Sequence, residues 1–167
     1  VCYSPNHGLT LPLMEIDAIE EVIRLWKNEY KNLGNSPEIN HVQIFENKGA
    51  VMGCSNSHPH GQIWAQRSIP QEVQKKIIQQ KNYWDKQGSS LLGDYLKQEF
   101  ESGERIILEN NTFVALIPYW AVWPYETMIV PKRHVISISE LSEQEVHDYA
   151  KILQKLTIRY DNLFETS

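Results

Sequence analysis

His58-Pro59-His60-Gly61-Gln62 runs directly into the apolar stretch Ile63-Trp64-Ala65, and no other part of the chain limits its fold as much. Pro59 locks its own φ and drives His58 out of the helical region, so both imidazoles must sit on stiff, extended backbone. With residues 61–65 as a strand, side chains two apart share a face, and His58, His60, Gln62 and Trp64 line one surface. Such a surface is a site rather than a core stripe. Just before it, Gly53, Ser55, Asn56 and Ser57 supply amides and hydroxyls suited to an anion-holding nest. Gly61 is read as letting a phosphate approach the main chain. A solvated turn would also use Gly, Ser, Asn and Pro. It would not need His-Pro-His-Gly-Gln leading into a strand.

Periodicity around this motif predicts a mixed α+β chain. Asp17 with Glu20 reads as a helix start, and Ile19, Val22, Ile23, Trp26, Tyr30 and Leu33 repeat at helical spacing up to Gly34. His41-Val42-Gln43-Ile44-Phe45 has strand composition, and Glu46-Asn47-Lys48-Gly49 has turn chemistry, which puts the central motif on the return strand of a hairpin. Hairpin pairing brings Asn47 and residues 53–55 to the same end of the sheet. Residues 71–87 read as a weakly amphipathic surface helix, with a second helical stretch through Leu91, Leu92, Tyr95, Leu96 and Phe100. Residues 105–109 and 112–118 form strands joined at Asn110-Asn111, and residues 126–131 form another. The aromatic run Tyr119-Trp120-Ala121-Val122-Trp123-Pro124-Tyr125 suits stacking on a base, core packing or a subunit interface. Ser142 and Glu145 make a capping box for a last helix with Val146, Tyr149, Leu153, Leu156 and Tyr160 on its buried face.

Composition excludes several classes. A length of 167 residues with 41% hydrophobic and 22% charged suits a soluble domain of ordinary size, and no apolar run spans a membrane. A net charge of −5 without a basic stripe argues against nucleic acid as a partner. Cys2 and Cys54 make no disulfide framework and no Cys-x-x-Cys pair, which points to a reducing, cytoplasmic setting, and no secretory signal opens the chain. Strand, histidine, short loop and capped helix occur over residues 1–33 and again over 126–164. Abrupt ends at Val1 and Ser167 are read as those of a fragment of a longer protein.

A histidine on a strand beside a nest suits nucleophilic attack on phosphorus. Imidazole has a reference pKa of about 6.5 and is substantially neutral near neutral pH. Its other nitrogen must be held by a hydrogen bond, and the backbone carbonyl of His58 is close enough in sequence to accept one from His60. The resulting phosphoramidate passes its group to a second acceptor, the logic of double displacement. Ser55, the amides of residues 53–55 and the Gln62 amide would steady the non-bridging oxygens. His58 is then free for another task; with His7 it offers half of a tetrahedral zinc set.

Phe45-Glu46-Asn47-Lys48-Gly49-Ala50, Met52-Gly53-Cys54-Ser55-Asn56, the run from His58 to Ala65, and Pro118-Tyr119-Trp120 with Trp123-Pro124 closely resemble the galactose-1-phosphate uridylyltransferase family of the histidine-triad superfamily. The likeness extends from Val1 to Phe164. It implies a mainly antiparallel half-barrel with flanking helices in two related halves. Residues 1–100 would be the first half, lacking its N-terminal part, and 101–167 the start of the second. It implies transfer of UMP from UDP-glucose to galactose 1-phosphate in galactose metabolism, by a homodimer. His60 matches the nucleophile and Gln62 the amide that holds phosphoryl oxygens. Ser55 with Gly53 and Cys54 matches the phosphate loop, and Asn47 a nucleotide contact. His7 and His58 match two zinc ligands of the zinc-bearing members; the other two come from a Cys-x-x-Cys that this chain lacks. The family's iron-site glutamate falls at Lys76, so no iron is expected. Ser57 stands where many relatives have proline. A histidine-triad hydrolase is the nearest rival, but it would carry a third histidine where this chain has Gln62. A catalytically silent fragment is the other.

Overall fold

The computed structural model describes residues 1–49, 52–54 and 58–164. Ile19, Val22, Ile23 and Trp26 form the buried stripe of α1 (Ile16–Gly34), as their spacing requires. The start of α1 differs from the Asp17–Glu20 expectation. Glu15 is the N-cap and makes no side-chain cap, because the almost fully buried Met14 pins the chain just ahead of it. Glu20 turns instead to a neighbouring helix, where its carboxylate accepts from His147 Nδ1 (2.6 Å) and also from Arg24 (2.8 Å). A tertiary partner has displaced the local cap.

β1 (His41–Phe45) and β2 (Gln62–Gln66) pair antiparallel, with Phe45 opposite Gln62 and Gln43 opposite Trp64. Ile44 and Ile63 pack against the core that holds Tyr3, Ile23 and Trp26, so the Gln62 and Trp64 side chains take the other face. The strand expected over residues 1–4 shrinks to one bridge between Cys2 and His60. Tyr3 donates its N–H to the Pro59 carbonyl (3.0 Å), but Pro59 has no N–H to return, and the ladder stops there.

A second sheet has the order β3 (Ile106–Glu109), β4 (Phe113–Leu116), β5 (Met128–Pro131), all antiparallel. The Asn110-Asn111 turn is held by the Asn110 side-chain oxygen, which accepts from the N–H groups of Thr112 (3.1 Å) and Phe113 (2.8 Å). β4 is buried on both faces. Phe113 and Ala115 join the main core, whereas Val114 and Leu116 pack with Leu96. Leu96 belongs to α3 (Leu91–Ser102); α2 (Gln71–Gln87) buries no residue and is the solvated helix its composition suggests. The aromatic run after β4 is not core: Tyr119, Val122 and Trp123 are each at least 75% exposed. Glu126 holds it from below by accepting from the Val122 and Trp123 amides.

α4 (Glu143–Phe164) starts with the expected capping box, Glu145 N–H to Ser142 Oγ at 3.3 Å and Ser142 N–H to Glu145 Oε2 at 2.8 Å. α4 lies against α1, and one core cluster takes residues from both. The fold is therefore α+β, with open antiparallel sheets and flanking helices rather than a closed barrel. Among the described residues no helix is long and apolar enough to cross a membrane.

The Arg133 guanidinium, followed by the Ser142 donors, outweighs burial and holds the Glu145 carboxyl down at about 2 instead of 4.5. A depressed folded-state pKa means that this stability is fully present above pH about 4.5 and is lost as pH falls through about 2. Glu145→Gln should therefore lower the thermal midpoint at neutral pH. In a pH series the gap to the wild type should close toward pH about 2.

Candidate active site

His60 Nδ1 lies 2.7 Å from the carbonyl oxygen of His58. A carbonyl can only accept, so Nδ1 carries the proton, and in the neutral ring Nε2 keeps its lone pair. The sequence singled out this carbonyl, and the extended Pro59 between the two residues is what brings it within reach. The β1–β2 ladder ends with Phe45 opposite Gln62, and Glu46 and Asn47 leave β1 at the same end of the hairpin at which His60 and Gly61 lead into β2. Asn47, His60 and Gln62 thus gather at one end of the hairpin, with Cys2 bridged to His60 from the other side. Trp64 is exposed beyond them and meets Phe45 edge-on at 5.0 Å.

The surface expected from His58, His60, Gln62 and Trp64 together is incomplete. The chain bends at His58, whose ring is buried and packs edge-to-face on His7 with centroids 4.3 Å apart. The two imidazoles form a separate pair behind the nucleophile candidate. Among the described residues no group of three or more His, Cys, Asp and Glu side chains converges as a metal cage.

In the candidate phosphate loop, Gly53 adopts φ 78°, a left-handed conformation that glycine takes without a Cβ penalty. The Cys54 N–H donates to the Gly49 carbonyl (3.3 Å) and closes the loop on itself. An incoming oxyanion would have to compete with that bond for this amide. Ser55, the hydroxyl expected on the phosphate, lies outside the described residues, as do Asn56 and Ser57.

Gly61 serves another purpose than the one expected. A Cβ there would lie 2.0 Å from the Tyr3 hydroxyl oxygen and 3.1 Å from the Phe45 carbonyl. The bare main chain accommodates Tyr3. Tyr3 is buried, meets Trp26 edge-on at 5.8 Å, and hydrogen-bonds Pro59 through its N–H, so it backs the segment that carries His60. Burial pushes its hydroxyl pKa upward, and the nearby charge of Glu46 adds to that. Glu46 is itself half-buried. Desolvation raises its carboxyl above the usual range, and the positive charges of Lys48 and His60 pull it partly back. Sequence reasoning passed over both side chains.

The fold is α+β, and beside its antiparallel hairpin a histidine ring is braced through one nitrogen. Residues 1–70 match the family described as galactose-1-phosphate uridyl transferase, N-terminal domain, and residues 76–167 match the same family's C-terminal domain. The chain belongs to the galactose-1-phosphate uridyl transferase family. It is 52% identical over its whole length to galactose-1-phosphate uridylyltransferase of Haemophilus influenzae, of which it spans 47%. A solved uridylyltransferase structure superposes on 92% of this chain and 48% of its own, with TM-score 0.86 and 27% identity. An ADP-glucose phosphorylase from Arabidopsis thaliana with bound ADP-glucose covers 99% of this chain and 52% of its own, with TM-score 0.89 and 25% identity. The chain thus spans about half the length of these relatives.

Gly61→Ala should destabilise the protein by about 1–3 kcal/mol, because neither the buried Tyr3 ring nor the Phe45 carbonyl can withdraw freely. Adding Tyr3→Phe removes the nearest atom and should recover part of the thermal midpoint. Equal midpoints for the single and double variants would show that the notch is not filled this way.

Proposed function

We propose that the full-length protein carrying this chain transfers UMP from UDP-glucose to galactose 1-phosphate through a covalent intermediate on His60. The observation that carries the reading is the 2.7 Å bond from His60 Nδ1 to the His58 carbonyl. In the neutral ring it leaves the lone pair on Nε2 and ties the ring's orientation to the backbone. In the first displacement the Nε2 lone pair forms a bond to the α-phosphorus of UDP-glucose. The bond from that phosphorus to the bridging oxygen breaks, and glucose 1-phosphate leaves with the electron pair. Nδ1 keeps its proton, so the substituted ring is a cation braced by the carbonyl. In the second displacement a phosphate oxygen of galactose 1-phosphate attacks the same phosphorus, and the N–P electron pair returns to Nε2.

Gln62 and Ser55 steady the non-bridging oxygens in this reading, and Asn47, Gly53 and Cys54 position the nucleotide. Asn47 and Gln62 stand at the end of the hairpin that carries His60, which supports those roles. An amide at position 62 cannot relay a proton, which favours transfer over hydrolysis. High identity to a named uridylyltransferase supports uridylyl over adenylyl transfer, although the ADP-glucose phosphorylase shares the fold.

His7 and His58 suit half of a zinc set, since imidazoles in ring contact can turn nitrogens toward one ion, and the rest of the set must come from elsewhere. Zinc bound there would be structural, tying the segment around His7 to the backbone of the His-Pro-His run.

Incubation of the full-length protein with UDP-glucose labelled in the uridylyl phosphate should place label on His60, and galactose 1-phosphate should then release it as UDP-galactose. His60→Asn should lower transfer by at least about a thousandfold and take up no label. Label from ADP-glucose in preference to UDP-glucose, or release as UMP alone, would overturn the assignment. Metal analysis of the purified protein should find zinc that is lost in His58→Ala while His60→Asn retains it.

A further inference from the structure

Glu46 is a half-buried carboxylate that the mechanism above does not use. Burial of a charge has to be compensated by a partner or by a purpose. The obvious partner is taken, because Lys48 pairs with Asp161 of α4. Among the described residues no hydrogen bond reaches the Glu46 carboxylate. Its surroundings are a cleft of about 440 Å³ whose walls include Leu11, Trp26, Ile44 and Tyr149. Apolar walls screen a charge poorly, so the carboxylate's field extends further than it would in water. The charged groups that act on it are Lys48 and His60, and Tyr3 lines the same cleft. The Phe45 carbonyl, next along the chain from Glu46, comes within 3.1 Å of where a Gly61 Cβ would stand, one residue from His60, and a positive charge on His60 would oppose the upward pull of burial on the Glu46 carboxyl.

On the transfer reading above, we infer that Glu46 is a positioning residue for the covalent step, its carboxylate stabilising the cationic ring that His60 becomes while it carries the nucleotidyl group. Bond formation at Nε2 changes a neutral imidazole into an imidazolium whose only described hydrogen-bond partner is the His58 carbonyl. A negative charge behind the strand lowers the energy of that state and leaves binding of the neutral-histidine ground state unchanged. Transition-state charge is thus favoured over ground-state binding. Tyr3 keeps the two groups in register by filling the Gly61 notch between the Glu46 side and the strand.

The test measures the rate of label uptake on His60 from UDP-glucose in rapid-quench experiments, using the full-length wild type, Glu46→Gln and Glu46→Asp. Glu46→Gln should slow uptake about tenfold or more, with KM for UDP-glucose within about twofold of the wild type. Its thermal midpoint should equal or exceed the wild type's, because an amide is cheaper to bury than a carboxylate. Glu46→Asp should recover part of the rate. A labelled wild type with an equally fast Glu46→Gln overturns this inference alone. So does a slow Glu46→Gln whose midpoint also falls and which Glu46→Asp does not improve, since that is the pattern of a structural residue. A wild type that takes no label overturns the transfer reading, and this inference with it.

Discussion

The hydrogen bond from His60 Nδ1 to the His58 carbonyl decides which nitrogen of the ring can act and where it points. It is local, two residues long, and depends on Pro59 holding the intervening backbone extended. Surrounding structure keeps it in place. Tyr3 donates to the Pro59 carbonyl, Gly61 donates to the Val1 carbonyl (2.9 Å), and β1 continues beside the next residues of the strand. A side chain on such a backbone has little freedom left to lose, and positioning of this kind is what phosphoryl-type transfer, the reaction proposed for it, needs from a protein.

That rigidity is transmitted from the core. Tyr3 leans on Trp26 of α1, α1 packs on α4, and Tyr149 of α4 stacks on Phe113 of β4 at 5.2 Å. One cluster of buried side chains therefore joins the first sheet to the second. Polar ties accompany it: Glu20 with His147, and Gln154 of α4 donating to the Met14 carbonyl (2.6 Å). The strand bearing His60 is backed by elements from both ends of the chain.

The aromatic loop after β4 is built differently. Tyr95 accepts the Tyr119 N–H at 2.9 Å, Trp120 lies 4.6 Å from the Tyr95 ring, and Arg105 sits 5.3 Å from the Tyr119 ring while forking onto the buried Glu99. Tyr125 adopts a left-handed φ of 63° and its carbonyl accepts from the Tyr160 hydroxyl. The loop is thus held rigidly from beneath while its upper surface stays open. Composition alone left core packing as one of its readings, because an aromatic run says how much apolar area is present but not which side of a sheet it meets.

Much of this protein follows from short-range rules that the chain carries openly. Helical repeats marked α1 and α4, the Asn110-Asn111 pair marked a hairpin, Ser142 with Glu145 marked a cap, and His-Pro-His-Gly-Gln marked both the nucleophile candidate and the carbonyl that braces it. Each depends on residues only a few positions apart, where propensity and backbone geometry decide. What the tertiary structure alone decided involves partners far apart in sequence: Glu20 leaving its own helix cap for His147, His58 turning inward onto His7, Gly61 making room for Tyr3, and Glu46 standing half-buried in a cleft walled by Trp26 and Tyr149. Those outcomes turn on which distant side chain competes for a group or a volume, and that competition exists only once the chain has closed on itself.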